Sequence, residues 1–255
     1  MTSTAAVDVL TLRLDAPLMS FGGVRIDDRG VTEAAPGLSL LTGLLANALG
    51  FDHRDFERTQ RLQDRVRFAV RRDRRGERLA DYQTVDLGQP WMDPGWTTWH
   101  QLAKRDGANS KGTHIRDRHY WADAVFTVAL TLEPALEEPT LDAIEAALRE
   151  PERPLFIGRK PCLPAGRILL GRERASTLRE AVIGAPRPRS ALRRDDGASL
   201  ALWWPDSDAP AEASIADERQ PVYDRRDWAN QVHTGRRFVR RGQIAPAVEE
   251  ASDDA

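Results

Sequence analysis

The chain has 255 residues, a formal charge of −2, one cysteine and five histidines. A single cysteine excludes an internal disulfide framework, the scattered histidines show no zinc-ligand spacing, and no stretch approaches the ~20 apolar residues of a membrane span. The first residues lack the basic start and apolar run of a signal peptide, so the expectation is a cytoplasmic protein with no metal, no cofactor and no membrane contact.

Residues 7–14 alternate and are rich in apolar side chains, which predicts a half-buried first strand ending at Ala16 and Pro17. A loop carrying Gly22, Gly23, Gly30 and Gly37 leads to Ser39, an expected helix N-cap. Leu40, Leu41, Leu44, Leu45, Ala48 and Leu49 then share a helical face, and Gly50 stands where a C-terminal cap belongs. After a polar helix or turn over residues 55–62, Val66, Phe68 and Val70 point one way and Arg65, Arg67 and Arg71 the other, as in a strand with one wet face. A turn at Arg75 and Gly76 leads to residues 79–85, and the pair reads as a hairpin.

Residues 88–112 hold glycines, prolines and the large side chains Trp91, Met92, Trp96 and Trp99 without a period, the texture of a functional or disordered loop. Residues 124–132 predict a strand buried on both faces, residues 140–149 an amphipathic helix stopped by Pro151, and residues 155–170 a further strand-like stretch. Strand, helix, strand, long insertion, strand, helix, strand is the split βαβ order, so the fold expected is α+β with a ferredoxin-like core. The texture changes after Arg172, which predicts a small second domain over 173–243, and the acids of 249–254 read as a solvated, disordered tail within 244–255.

A ferredoxin-like sheet offers an open face, and proteins that hold single-stranded RNA on such sheets combine stacking rings with cations along the phosphates. Arginines outnumber the three lysines heavily and cluster: ten lie between His53 and Arg78, five cations face two acids between Lys104 and Arg118, and seven face two between Arg219 and Arg241. Trp91, Trp96, Trp99, His100, Lys104, Arg105, Lys111, His114, Arg116, Arg118, His119, Tyr120 and Trp121 all fall in or just after the insertion. The competing reading has the tryptophans dock on a neighbouring subunit or pack on their own sheet. Ser39 reads either as a phosphate contact at a helix N-terminus or as an ordinary cap. His114 or His119 with Lys111 and Tyr120 contains the residue types of a metal-independent ribonuclease, with no paired carboxylates or ligand set to reinforce it. Cys162 between Pro161 and Leu163 reads as a packed small hydrophobe.

Residues 16–22 (Ala-Pro-Leu-Met-Ser-Phe-Gly), 36–50, 81–85 (Asp-Tyr-Gln-Thr-Val), 118–130 (beginning Arg-His-Tyr-Trp-Ala-Asp-Ala) and 158–162 (Gly-Arg-Lys-Pro-Cys) resemble, in order, the CasD family. That family supplies the subunit of the type I-E CRISPR Cascade complex that binds the 5′ handle of the crRNA. The resemblance implies a repeat-associated, RRM-like RNA-binding domain over 1–172, with a thumb hairpin inserted at about 78–121. It also implies a non-catalytic subunit that caps the CasC backbone, adjoins the large CasA subunit and meets target DNA only through the complex, the precursor being cut by a separate nuclease. The alternative kept open is a processing endoribonuclease. Carried over position by position, the RNA contacts expected are Ser20, Gly22 and Arg25 in the first loop, Ser39 at the helix start, Tyr82 at the thumb base, and Arg116, Arg118 and Tyr120 on the return strand. Gly158 and Arg159 supply the glycine-rich turn, and Lys104, Lys111 and His114 are further thumb candidates. The chain departs from the family pattern at Leu38, where a basic residue is common, and at Phe21, where tryptophan is.

Overall fold

In the computed structural model, which describes residues 6–24, 29–96, 101–104, 112–192, 199–208 and 217–245, the alternating start of the chain and the apolar run near its middle become neighbouring strands. The elements in chain order are β1 (Val7–Asp15), β2 (Leu18–Met19), β3 (Arg29–Gly30), α1 (Leu38–Ala48), α2 (Phe56–Arg65), β4 (Val66–Arg74), β5 (Glu77–Asp86), β6 (Gly95–Trp96), β7 (Leu102–Ala103), β8 (Thr113–Ala122) and β9 (Val125–Leu132). They continue as α3 (Leu141–Arg149), β10 (Leu169–Ala175), α4 (Leu178–Gly184), α5 (Arg189–Leu192), β11 (Leu200–Pro205), β12 (Glu218–Val222), β13 (Arg226–Asp227), β14 (Val232–His233) and β15 (Arg237–Ile244). The fold is α+β, with mostly antiparallel sheets and few helices.

The main sheet runs β10-β1-β9-β4-β11-β15-β12. Leu10, Leu12 and Leu14 of β1 and Phe126, Val128 and Leu130 of β9 share one face and bury against α1 and α3. Each fully buried side chain of this size contributes roughly 1.5–3 kcal/mol. The second face of the same strands carries Val9, Ala69 and Ala129, and α4 lies on it through Leu178, Ala181 and Val182. The alanines let the helix approach closely. This explains why every residue of β9 is buried, Thr127 and Thr131 included, as expected of a strand covered on both faces. It also removes the open sheet face that the sequence reading assigns to RNA.

Three further features differ from the expected arrangement. Residues 173–243, expected as a small separate domain, add strands to the same sheet: β11 pairs with β4, β15 with β11 and β12 with β15. Without β11, the outer edge of β4 would leave backbone donors and acceptors unpaired. Residues 155–168, expected as strand-like, form turns and bends, and the strand begins only at Leu169. Similarly, β4 and β5 do not pair with each other as a hairpin. They are two stretches of one ribbon limb whose partner limb is β9 and β8, bending where Gly76 takes φ +63 and Asp123 takes φ +55. A Cβ on Gly76 would lie 2.5 Å from the carbonyl oxygen of Ala122, so that corner admits no side chain.

A buried polar cluster fastens the α4–α5 segment to the second sheet face. Arg71 Nε donates to Asp73 Oδ1 at 2.6 Å and its Nη1 to the carbonyl of Ile183 at 2.8 Å, while the Thr127 hydroxyl donates to the other Asp73 oxygen. Arg187 donates to the Asp73 carbonyl at 3.2 Å and Arg74 to that of Ser190 at 2.7 Å. Both members of the Arg71–Asp73 pair are almost fully buried, so removing one strands the other's charge. Asp73→Ala is therefore expected to lose about 3–5 kcal/mol in urea unfolding, against about 1 kcal/mol for Thr127→Val, which removes one hydrogen bond.

Candidate nucleic-acid interface

Gly158 has φ +96, and a Cβ placed on it would lie 1.7 Å from the carbonyl oxygen of Ser20. Only glycine permits that approach. Ser20 N donates to Ile157 O at 3.2 Å, while Ile157 N donates to Cys162 O and Cys162 N to Arg159 O, both at 2.8 Å, closing the turn 157–162 against the first loop. Cys162 is fully buried there, and burial pushes its thiol up.

This turn delivers Arg159 to the base of β8. Its guanidinium lies 4.7 Å from the centre of the Tyr120 ring, donates to the His119 carbonyl at 3.2 Å and to the Gly30 carbonyl at 3.1 Å. Ser20 Oγ also donates to the His119 carbonyl. β3 runs parallel to β8 with Gly30 beside Arg118, and a Cβ on Gly30 would lie 2.7 Å from Arg159 Nη2 and 3.2 Å from Arg118 Nη1. Two guanidiniums thus converge over one glycine, next to the exposed turn at Gly158. A guanidinium carries five donors, and Arg159 commits only part of its set to these carbonyls, so it keeps donors for an anion such as phosphate, with the Arg118 charge beside it.

Ser20, Arg118, Tyr120, Gly158 and Arg159 of the expected contacts are brought together here. Others lie along the arm formed by β5 and β8, whose register runs from Glu77 opposite Ala122 to Asp86 opposite Thr113. His114 and Arg116 share the face of Arg118 and Tyr120, whereas Tyr82, opposite Asp117, is on the reverse face and 62% exposed. Tyr120 is 5% exposed beneath Arg159. Lys104 follows β7 and is exposed, as is Gly22 in the first loop. Arg25 and Lys111 lie outside the described residues, as do Trp99, His100 and Arg105. Trp91 is 78% exposed.

Ser39 is differently placed from its expected role. The helix starts at Leu38 with Gly37 as N-cap, and its free donors are taken by Asp224: Leu38 N donates to Asp224 Oδ2 at 2.8 Å and Ser39 N to the Asp224 carbonyl at 3.0 Å. Arg237 grips the same carboxylate at 2.7 Å, and Ser39 Oγ lies 3.3 Å from His233 Nε2. Burial and the nearby Arg226 hold His233 below the ordinary imidazole range, partly offset by Asp224. The helix dipole is already answered by the chain's own carboxylate, which would repel a phosphate arriving there. Sequence reasoning missed Asp224; its one signal was an acid standing within the basic stretch of 219–241. A cavity of about 360 Å³, lined by Gly37, Phe68, Trp203, Val222, Asp224 and Arg237, opens beside it. Among the described residues no group of three or more His, Cys, Asp or Glu side chains is placed to hold a metal ion.

The antiparallel α+β fold of this chain has counterparts among CRISPR proteins. The chain belongs to the CRISPR-associated protein family Cas_Cas5, whose model Cas_Cas5d matches residues 9–240. It is similar to a chain of a structure described as a CRISPR RNA-guided surveillance complex, with 27% identity, a TM-score of 0.62, and 93% of this chain and 89% of that chain covered. It is also similar to a crystal structure of a Cas protein, with 25% identity, a TM-score of 0.55, and 93% and 95% of the two chains covered. No curated protein matches the chain.

Gly158→Ala is expected to lose about 1–3 kcal/mol from backbone strain alone. Gly166→Ala, where a Cβ meets nothing within 4 Å, serves as its near-neutral control in the same unfolding assay. Asp224→Ala is expected to cost about 2 kcal/mol, roughly half from the lost helix cap and half from leaving Arg237 without its partner; Asp224→Asn recovers the cap share.

Proposed function

We propose that this chain is a non-catalytic subunit of a type I-E CRISPR Cascade complex that grips the 5′ handle of the crRNA. It caps the CasC backbone beside the large CasA subunit and reaches target DNA through the assembled complex in the cytoplasm. The observation that carries the reading is the convergence of Arg118 and Arg159 on Gly30 at the foot of the arm. The strand order β10-β1-β9-β4, with α1 and α3 packed on one face, supports a ferredoxin-like core, and the β5–β8 ladder supports a thumb. The similarity to a chain of an RNA-guided surveillance complex supports the RNA and subunit partners. The subtype rests on the CasD-like blocks alone, and the matching family model, Cas_Cas5d, does not supply it.

The non-catalytic reading is supported by Tyr120. A ribonuclease built on His114 and Tyr120 needs both side chains at one scissile phosphate, and the Tyr120 ring is buried beneath the Arg159 guanidinium.

Arg116→Gln with Arg118→Gln is expected to weaken binding of handle-bearing RNA about tenfold or more. The same change lowers the salt slope by about 0.7 for each phosphate that is no longer neutralised. The purified chain is expected to leave precursor RNA intact. Handle formation by this chain alone, abolished by His114→Ala, would establish the nuclease reading instead.

A further inference from the structure

A second cationic surface lies on the reverse side of the arm's base. The Arg72 guanidinium sits between two indoles, 5.9 Å from the ring centre of Trp121 and 5.7 Å from that of Trp203. Arg78 lies 5.1 Å over Trp121 and Arg241 5.9 Å over Trp203. The register explains the gathering. Arg78 is opposite Trp121 in the β5–β8 ladder, on the face away from Arg116, Arg118 and Tyr120, and Arg241 is opposite Trp203 in the β11–β15 pair. Arg72, at the end of the same β4 row as Val70, joins the two.

No carboxylate lies within ion-pair distance of Arg72, Arg75, Arg78 or Arg241 among the described residues, although Glu218 stands opposite Arg241 in the β12–β15 pair. Neighbours on the same strands are paired: Arg71 with Asp73, Arg74 with Asp15 and Asp123, Arg237 with Asp224, and Arg240 with Asp206. Other arginines, Arg54, Arg61 and Arg179 among them, also lack a paired carboxylate among the described residues. What marks this spot is the gathering itself, with Arg72, Arg78 and Arg241 sharing two indoles and Arg75 repelling Arg72. Burial, with repulsion from Arg75 and Arg241, pulls the Arg72 guanidinium below its ordinary value, so an arriving anion relieves a real cost.

We propose that the surface formed by Arg72, Arg75, Arg78 and Arg241 binds the phosphodiester backbone of a second nucleic-acid strand, distinct from the RNA held on the opposite face of the ladder. Trp121 and Trp203 are only 7% and 6% exposed, so they orient and spread the guanidinium charges and offer no face to a base. Binding is accordingly through phosphates and blind to sequence, which planar bidentate guanidiniums suit. The exposed Tyr82 ring, farther out on the same face, offers a base of that strand a surface on which to stack, and this favours a nucleic acid over an acidic peptide.

The test uses the full chain carrying Arg75→Gln, Arg78→Gln and Arg241→Gln, three exposed side chains without ion pairs, so the fold is retained. Anisotropy titrations compare handle-bearing RNA, single-stranded DNA of unrelated sequence and duplex DNA, with polyglutamate as competitor. The expected result is about a tenfold or greater loss for the unrelated strand or the duplex, with a salt slope lower by about 0.7 per phosphate set free on the strand or about 0.9 on the duplex, and handle RNA changed less than about twofold. Whichever DNA form loses more identifies the strand. Unchanged DNA binding overturns the proposal, as does parallel loss of handle RNA, which would make the two surfaces one path, or stronger displacement by polyglutamate, which would assign the surface to an acidic protein. Failure of the unaltered chain to prefer handle RNA would instead sink the handle-binding role and leave the second surface standing.

Discussion

The close approach of Gly158 to the Ser20 carbonyl is the interaction from which the rest of the interface follows. It presses the 157–162 turn against the first loop with no room for a side chain between them. Only in that position does Arg159 reach carbonyls on two separate segments, His119 of the arm and Gly30 of the loop. A lysine would present a point charge in place of that rigid fork. β2 and β3 hold the same edge of β8, at Trp121 and at Asp117, so the arm's root is fixed on one side by the loop and on the other by β5.

Covering both faces of the central strands has a functional consequence. With α1 and α3 on one face and α4 on the other, RNA cannot lie across the sheet as it does on an open four-stranded platform. The cations instead gather where β4 and β9 leave the sheet and continue as the ladder. Two cationic surfaces arise there because antiparallel pairing sends alternate residues to opposite faces: Arg116 and Arg118 to one, Arg78 and Trp121 to the other. The partial cost of holding unpaired arginines near one another is offset by indole faces beneath them.

The elements legible in the sequence are those whose signal is local. β1, α1, β9 and α3 each announce themselves by periodicity, and Gly50 ends α1 with φ +73 as a C-terminal glycine should. Ser20, Arg118, Gly158 and Arg159 are legible through their resemblance to a family, not through spacing. What escapes is non-local. Nothing near residues 200–205 says that they will pair with β4, and nothing near Ser39 says that Asp224, far along the chain, will occupy its helix terminus. The alternation of Arg116 and Arg118 is visible, but Tyr82's place on the reverse face depends on the register with β8, which only the pairing defines.

The central claim is that segments 18–30, 114–120 and 157–162 form one RNA-holding surface around Gly158. Photo-cross-linking answers it most directly, with a photoreactive nucleotide stepped along the leading end of the guide and the attached peptides read by mass spectrometry. Cross-links shared among these three segments are predicted. Cross-links confined to α3, to α4 or to the edge strand β12 would contradict it.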